Sequence, residues 1–115
     1  MSINNEQIAR ISKALGDPIR LHILQIIRAG YSELNMTPPT TCCSGGVCVC
    51  DIQEQLNMTQ SKVSYHLKEL KNAHLISETK SGKWNFYKLN QTTFKEYLEK
   101  VNLLYKDTPS LQGND

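Results

Sequence analysis

The chain has 115 residues, an ordinary apolar content and a formal net charge of only +2, which suits one domain with a modest core and says little by itself about partners. The longest apolar run, Ile23-Leu24-Gln25-Ile26-Ile27, is far too short to span a bilayer. The opening Met1-Ser2-Ile3-Asn4-Asn5-Glu6 lacks the basic and apolar regions of a signal peptide, so a cytoplasmic protein with no membrane partner is expected.

Glu6 to Leu15 carries Ile8, Ile11 and Leu15 at helical spacing and ends at Gly16. Asp17-Pro18 restarts a helix, with Asp as N-cap and Pro at the first helical position. Leu21, Leu24 and Ile27, flanked by Ile23 and Ile26, give that helix a wide apolar face before Gly30. His22 reads as a packed or surface residue.

Residues 31–47 have no period and contain Pro38-Pro39, Thr40-Thr41 and Gly45-Gly46. They form a loop, long for so small a domain, of the kind that is functional or disordered. The loop leads into Cys42-Cys43-Ser44-Gly45-Gly46-Val47-Cys48-Val49-Cys50, which holds all four cysteines of the chain. In a reducing compartment such a cluster points to metal binding or thiol chemistry rather than to a structural disulfide.

Ile52 and Leu56 mark a short helix from Asp51, Asn57-Met58 a turn, and Thr59 an N-cap for a helix over Gln60 to Ala73 lined by Val63, Leu67 and Leu70. The opposite face shows Gln60, Ser61, Ser64, Tyr65 and Lys68. Two short helices, a tight turn and a non-acidic leading face make the helix-turn-helix layout. Leu75 to Lys80 and Trp84 to Leu89 alternate around Ser81-Gly82-Lys83, a β-hairpin that becomes a wing when placed straight after those helices. From Thr59 to Lys88 there are six lysines against two glutamates, a surplus of four positive charges; that suits a polyanion such as double-stranded operator DNA. Gln60, Ser61, Ser64 and Tyr65 are the candidates for base edges, and Lys62, Lys68, Lys80 and Lys83 for phosphates.

Thr92 to Tyr105 is a last helix with Phe94, Tyr97, Leu98, Val101 and Leu104-Tyr105 in an apolar stripe. Such a stripe needs a cover, and a second copy is attractive because two-fold symmetry matches a palindromic operator. The expected architecture is mainly α with a small β-hairpin, a winged helix-turn-helix ordered α-α-α-α-β-β-α. It spans residues 1–105 and leaves 106–115 as a flexible tail. No carboxylate pair, phosphate loop or oriented Cys-His constellation points to an enzyme.

Four stretches make the sequence resemble the ArsR/SmtB family of metal-responsive repressors: Ala14-Leu15-Gly16-Asp17-Pro18-Ile19-Arg20-Leu21-His22-Ile23-Leu24, Val47-Cys48-Val49-Cys50-Asp51, Gln60-Ser61-Lys62-Val63-Ser64-Tyr65-His66-Leu67 and Phe86-Tyr87-Lys88-Leu89. The resemblance implies a homodimer built on the first and last helices, here Ile8, Ile11, Phe94, Tyr97, Leu98 and Val101. It also implies repression without metal and release from DNA when the effector binds. His66 matches a histidine of the family's recognition helix and lies at the edge of the core face, where a structural role is expected; His74 sits where it can meet the terminal carbonyls of that helix.

Cys48 and Cys50 match the family's thiolate site. The resemblance puts a third cysteine three residues further in arsenic-responsive members, a position held here by Gln53, so Cys42 or Cys43 is left to supply it. Soft sulfurs with no imidazole nearby select thiophilic ions: As(III) or Sb(III) on three thiolates, or Cd(II) or Pb(II) on four. Rival readings of the same cysteines are a thiol redox switch and a structural zinc knuckle.

Overall fold

The computed structural model describes residues 3–39 and 45–107. Helix α1 runs over Asn5–Leu15, where Asn4 and Gln7 close a capping box, each side chain satisfying the other's backbone N–H. Helix α2 starts at Pro18, with the Asp17 carboxylate accepting from Ile19 N–H at 2.8 Å, and runs to Leu34. Strand β1 is the pair Val47–Cys48, and helix α3 follows directly over Val49–Leu56. Helix α4 spans Gln60–Asn72, capped by the Thr59 hydroxyl, which accepts from Lys62 N–H. Strands β2 (Ile76–Ser81) and β3 (Trp84–Leu89) form the hairpin, and α5 covers Gln91–Tyr105.

The order is the expected one, and the fold is a winged helix-turn-helix, with one addition. Strand β1 pairs antiparallel with β3, making a three-stranded sheet in the order β1-β3-β2. Gly46 makes that pairing sterically feasible: its φ is +97°, and a Cβ there would sit 2.8 Å from the Tyr87 carbonyl oxygen. Only glycine lets the two backbones approach so closely at a positive φ.

The segment expected as a loop from residue 31 opens with another helical turn. Gly30 breaks α2 with φ 72° and ψ 177°, and the chain coils again to Leu34 before the left-handed Asn35 ends it. The break redirects the chain, so that Tyr31 faces β1 and α3 rather than continuing the α2 stripe.

Ile23, Ile52, Val63, Leu70, Leu75 and Phe86 are among the most deeply buried core side chains. They come from α2, α3, α4, the turn before β2 and the sheet, so the core lies beneath the helix-turn-helix and fixes α3 and α4 against each other. Leu21, expected on the inner face of α2, is exposed. It turns instead toward a shallow apolar groove of about 470 Å3 that it shares with Leu15, Leu89, Phe94, Tyr97 and Leu98. No residue of α5 is buried, and Leu98 is 61 % exposed. Ile11 is only 3 % exposed. Its surface is spent in the protomer's own core, and of the six residues implied for the dimer interface it has nothing left to offer a second copy.

Candidate metal centre and nucleic-acid interface

Cys48 closes β1 and is the N-cap of α3, while Cys50 is the second residue of that helix. This puts both thiols on one side of the helix start. Their Sγ atoms lie 2.7 Å apart, and both cysteines are unbridged. The Asp51 carboxylate joins them, the three donor atoms lying within 4.8 Å of one another. Cys48 is fully buried and Cys50 exposed, so the pair is anchored in the core on one side and open to an entering ion on the other. Burial, then the hydrogen bond and charge of Cys48, push the Cys50 thiol up to about 12. The metal-free Cys50 therefore rests as a thiol, and a thiophilic ion binds it by displacing that proton. Two convergent sulfurs fit a soft ion with room for further ligands. Cys42 and Cys43, expected to supply those ligands, lie outside the described residues.

Behind the thiols is a contact that periodicity could not reveal. The Tyr31 hydroxyl donates to Asp51 Oδ2 at 2.6 Å and accepts from the Cys48 backbone N–H at 2.9 Å. Burial and this bond to a carboxylate raise the Tyr31 hydroxyl well above its ordinary range, so it stays protonated and donating. The only hint in the sequence was an acidic residue, Asp51, at the start of the expected helix, which in the structure begins two residues earlier at Val49.

A second polar node joins α1, α2 and α4. Arg20 is buried, and its Nε donates to His66 Nδ1 at 3.1 Å. Its Nη1 reaches the carbonyls of Lys13 and Ala14 at 3.4 and 3.5 Å, the last turn of α1, whose carbonyls have no partner inside the helix. Burial, with Arg20 and Lys62 adding their positive charge, holds the His66 imidazole below its ordinary value. A neutral ring accepting at Nδ1 is a structural partner, as its position on α4 suggested. His74 does meet a terminal carbonyl of α4, through its backbone: at φ 62° its N–H bonds to the Lys71 carbonyl, and the residue is exposed.

All eight candidates for DNA contact are exposed. Gln60, Ser61, Lys62, Ser64, Tyr65 and Lys68 lie along the outer face of α4, and Lys80 and Lys83 near the hairpin turn. Tyr65 is 54 % exposed, with Arg20 stacked 5.7 Å behind its ring. At the turn, Lys83 Nζ lies 5.0 Å from the centre of the Trp84 ring, which holds a mobile cation close to the sheet.

The family profile of bacterial regulatory proteins of the arsR family matches residues 43–78, the span from the cysteines through α4 to β2. Over 99 residues the chain is 35 % identical to an uncharacterized HTH-type transcriptional regulator of Methanocaldococcus jannaschii, covering 86 % of this chain and 96 % of that one. It is 44 % identical over 78 residues to an arsenical resistance operon repressor of Bacillus subtilis, covering 68 % and 61 %. A cadmium resistance regulatory protein homolog of Staphylococcus aureus is 27 % identical over 108 residues, covering 94 % and 78 %. In structure, the homodimeric winged helix-turn-helix DNA-binding domain of a Mycobacterium bovis protein superposes with a TM-score of 0.60 at 21 % identity, over 89 % of this chain and 83 % of that one. The chain belongs to the ArsR family of helix-turn-helix transcriptional regulators.

Proposed function

We propose that the protein is a metalloid-responsive repressor that holds operator DNA as a homodimer and lets go when As(III) or Sb(III) binds its thiolates. The observation that carries this reading is the convergence of Cys48 Sγ and Cys50 Sγ at the first turn of α3, the helix that positions α4. An ion drawn between those sulfurs acts on the DNA-reading pair itself. Cys42 or Cys43 completes a pyramidal three-sulfur site whose fourth direction is filled by the metalloid's lone pair. The similarity to an arsenical resistance repressor supports this choice of ion.

Residues Gln60, Ser61, Ser64 and Tyr65 face base edges in the major groove, and Lys62, Lys68, Lys80 and Lys83 contact phosphates. The second protomer covers the groove between α2 and α5 and the stripe of exposed Leu98 and half-buried Phe94, Tyr97 and Val101, with Ile8 at its margin. Contiguous apolar surface of that kind marks an interface.

A Cd(II) or Pb(II) sensor is the second reading, favoured by the Asp51 carboxylate beside the sulfurs and by the cadmium-resistance relative; it recruits both Cys42 and Cys43. A redox switch fits less well, because a thiol held at high pKa is a poor nucleophile at neutral pH.

A fluorescence-anisotropy titration of the reduced protein on its own promoter separates these readings, with arsenite, antimonite, cadmium, lead and zinc added singly. Release by arsenite or antimonite alone is expected. Release by cadmium or lead at lower concentration moves the site to four sulfurs, and release by none of them ends the metal reading.

A further inference from the structure

We propose that Tyr31 is the positioning residue that couples ion binding at Cys48 and Cys50 to the helix-turn-helix, acting as the middle member of a capping box closed from outside α3. The inference rests on the thiolate reading above and names how that site is wired.

An α-helix begins with backbone N–H groups that have no partner within the helix. In an ordinary capping box the N-cap side chain serves the N–H three residues on, and the acid there reaches back to the N-cap N–H. Helix α3 does neither. Its N-cap is Cys48, which makes no side-chain cap, and Asp51 stands at the third helical position. The connection runs through a third residue: Cys48 N–H donates to the Tyr31 hydroxyl, and that hydroxyl donates to Asp51 Oδ2. Tyr31 arrives there because Gly30, at φ 72°, breaks α2 one residue earlier.

Cys48 thus belongs to two arrangements at once. Its sulfur faces Cys50, and its backbone N–H holds the box. An ion that pulls Cys48 and Cys50 toward a further thiolate displaces the residue on which the start of α3 is hung. The hydrogen-bonded box and the ion-bound geometry then compete for Cys48, and that competition is the differential affinity an allosteric effector requires. Asp51 on this account is a capping acid held by tyrosine, favourable at the positive end of the helix dipole, rather than a ligand.

The test compares wild type with Tyr31→Phe and Asp51→Ala, and with the double variant. Three readouts are taken: promoter affinity without ion, arsenite affinity from the near-ultraviolet sulfur-to-arsenic absorption, and the ratio of promoter affinities with and without arsenite. Tyr31→Phe is expected to keep ion-free DNA binding and to change that ratio by about tenfold, the usual size of an allosteric coupling. The double variant is expected to go no further than either single one, since both cut the same relay. A wild type released by arsenite, beside a Tyr31→Phe variant with an unchanged ratio, overturns the role of Tyr31 alone. Additive effects of the two substitutions overturn it as well. A wild type that no thiophilic ion releases overturns the thiolate reading and this inference with it. Should Tyr31→Phe fail to fold, Asp51→Ala decides by the same ratio.

Discussion

Two polar nodes hold the helix-turn-helix in place, and they are built on opposite principles. Around Arg20 the cation, the His66 ring and the α1 carbonyls are buried and answer one another. Around Cys48, the Tyr31–Asp51 relay is equally well satisfied on its inner side, but the two thiols meet each other and Cys50 faces outward. The first node joins groups that partner one another in the core; the second brings two thiols together at the start of α3, one of them facing outward. A satisfied buried network specifies one structure, whereas a node with an unused ligand set can exist in two states.

The contrast breaks most visibly at the thiols. Cys50→Ser is expected to abolish release by the ion while leaving promoter affinity intact, and to change stability by less than about 1 kcal/mol because the side chain is exposed. Retained release, read by anisotropy in both Cys48→Ser and Cys50→Ser, would defeat the thiolate reading. Arg20→Met should do the reverse. Removing a buried cation leaves His66 Nδ1 and the Ala14 carbonyl without their Arg20 donor, costing about 3 kcal/mol in a urea titration, yet the variant that remains folded should still release DNA on ion binding. Gly46→Ala tests the seat of β1: a left-handed φ and a 2.8 Å clash with Tyr87 together should cost about 2 kcal/mol, and the same unseating should weaken ion binding.

The difference between the nodes also governs what the sequence disclosed. Helix starts at Asp17-Pro18 and Thr59, the wing turn at Gly82 and the paired thiols were legible, because each depends on neighbours a few positions apart. The relay from Tyr31 to Asp51 spans twenty residues, and the bond from Arg20 to His66 spans forty-six. Neither leaves a local pattern. Tyr31 stood in a stretch without period, where a single break at Gly30 decides its direction. Strand β1 was missed for a related reason: two residues are too few to alternate, and their pairing depends on Gly46 meeting a strand forty residues away. The outward face of α4 was readable because exposure follows helical spacing, but whether α5 is covered depends on a second chain.

A smaller effect is expected at the wing. Lys83→Ala removes one proposed phosphate contact without touching either node. The slope of log affinity against log salt should fall by about 1, with sequence preference and the response to the ion unchanged. An unaltered slope would place the turn away from DNA.

The mildest prediction concerns pH and separates the nodes without any ligand. Burial, reinforced by Arg20 and Lys62 and opposed by Asp17 and Glu69, leaves His66 below its ordinary value of 6.5. The unfolded chain therefore takes up the proton first as pH falls. The stability contributed by the neutral ring is fully present above pH 6.5 and is lost progressively from there down toward the folded-state value. The carboxylates Asp17 and Glu78 are both held below their ordinary values, 3.8 and 4.5, and do not titrate in the same interval. A urea midpoint measured at pH 7.5 and at pH 5.5 should accordingly drop in the wild type. His66→Gln keeps an acceptor for Arg20 but has no proton to gain, so its drop should be smaller. The exposed His22 and His74 remain in both proteins and cancel from the comparison. An equal drop in the two would mean that Arg20 tolerates a charged neighbour, and that its node is held by the α1 carbonyls rather than by the imidazole.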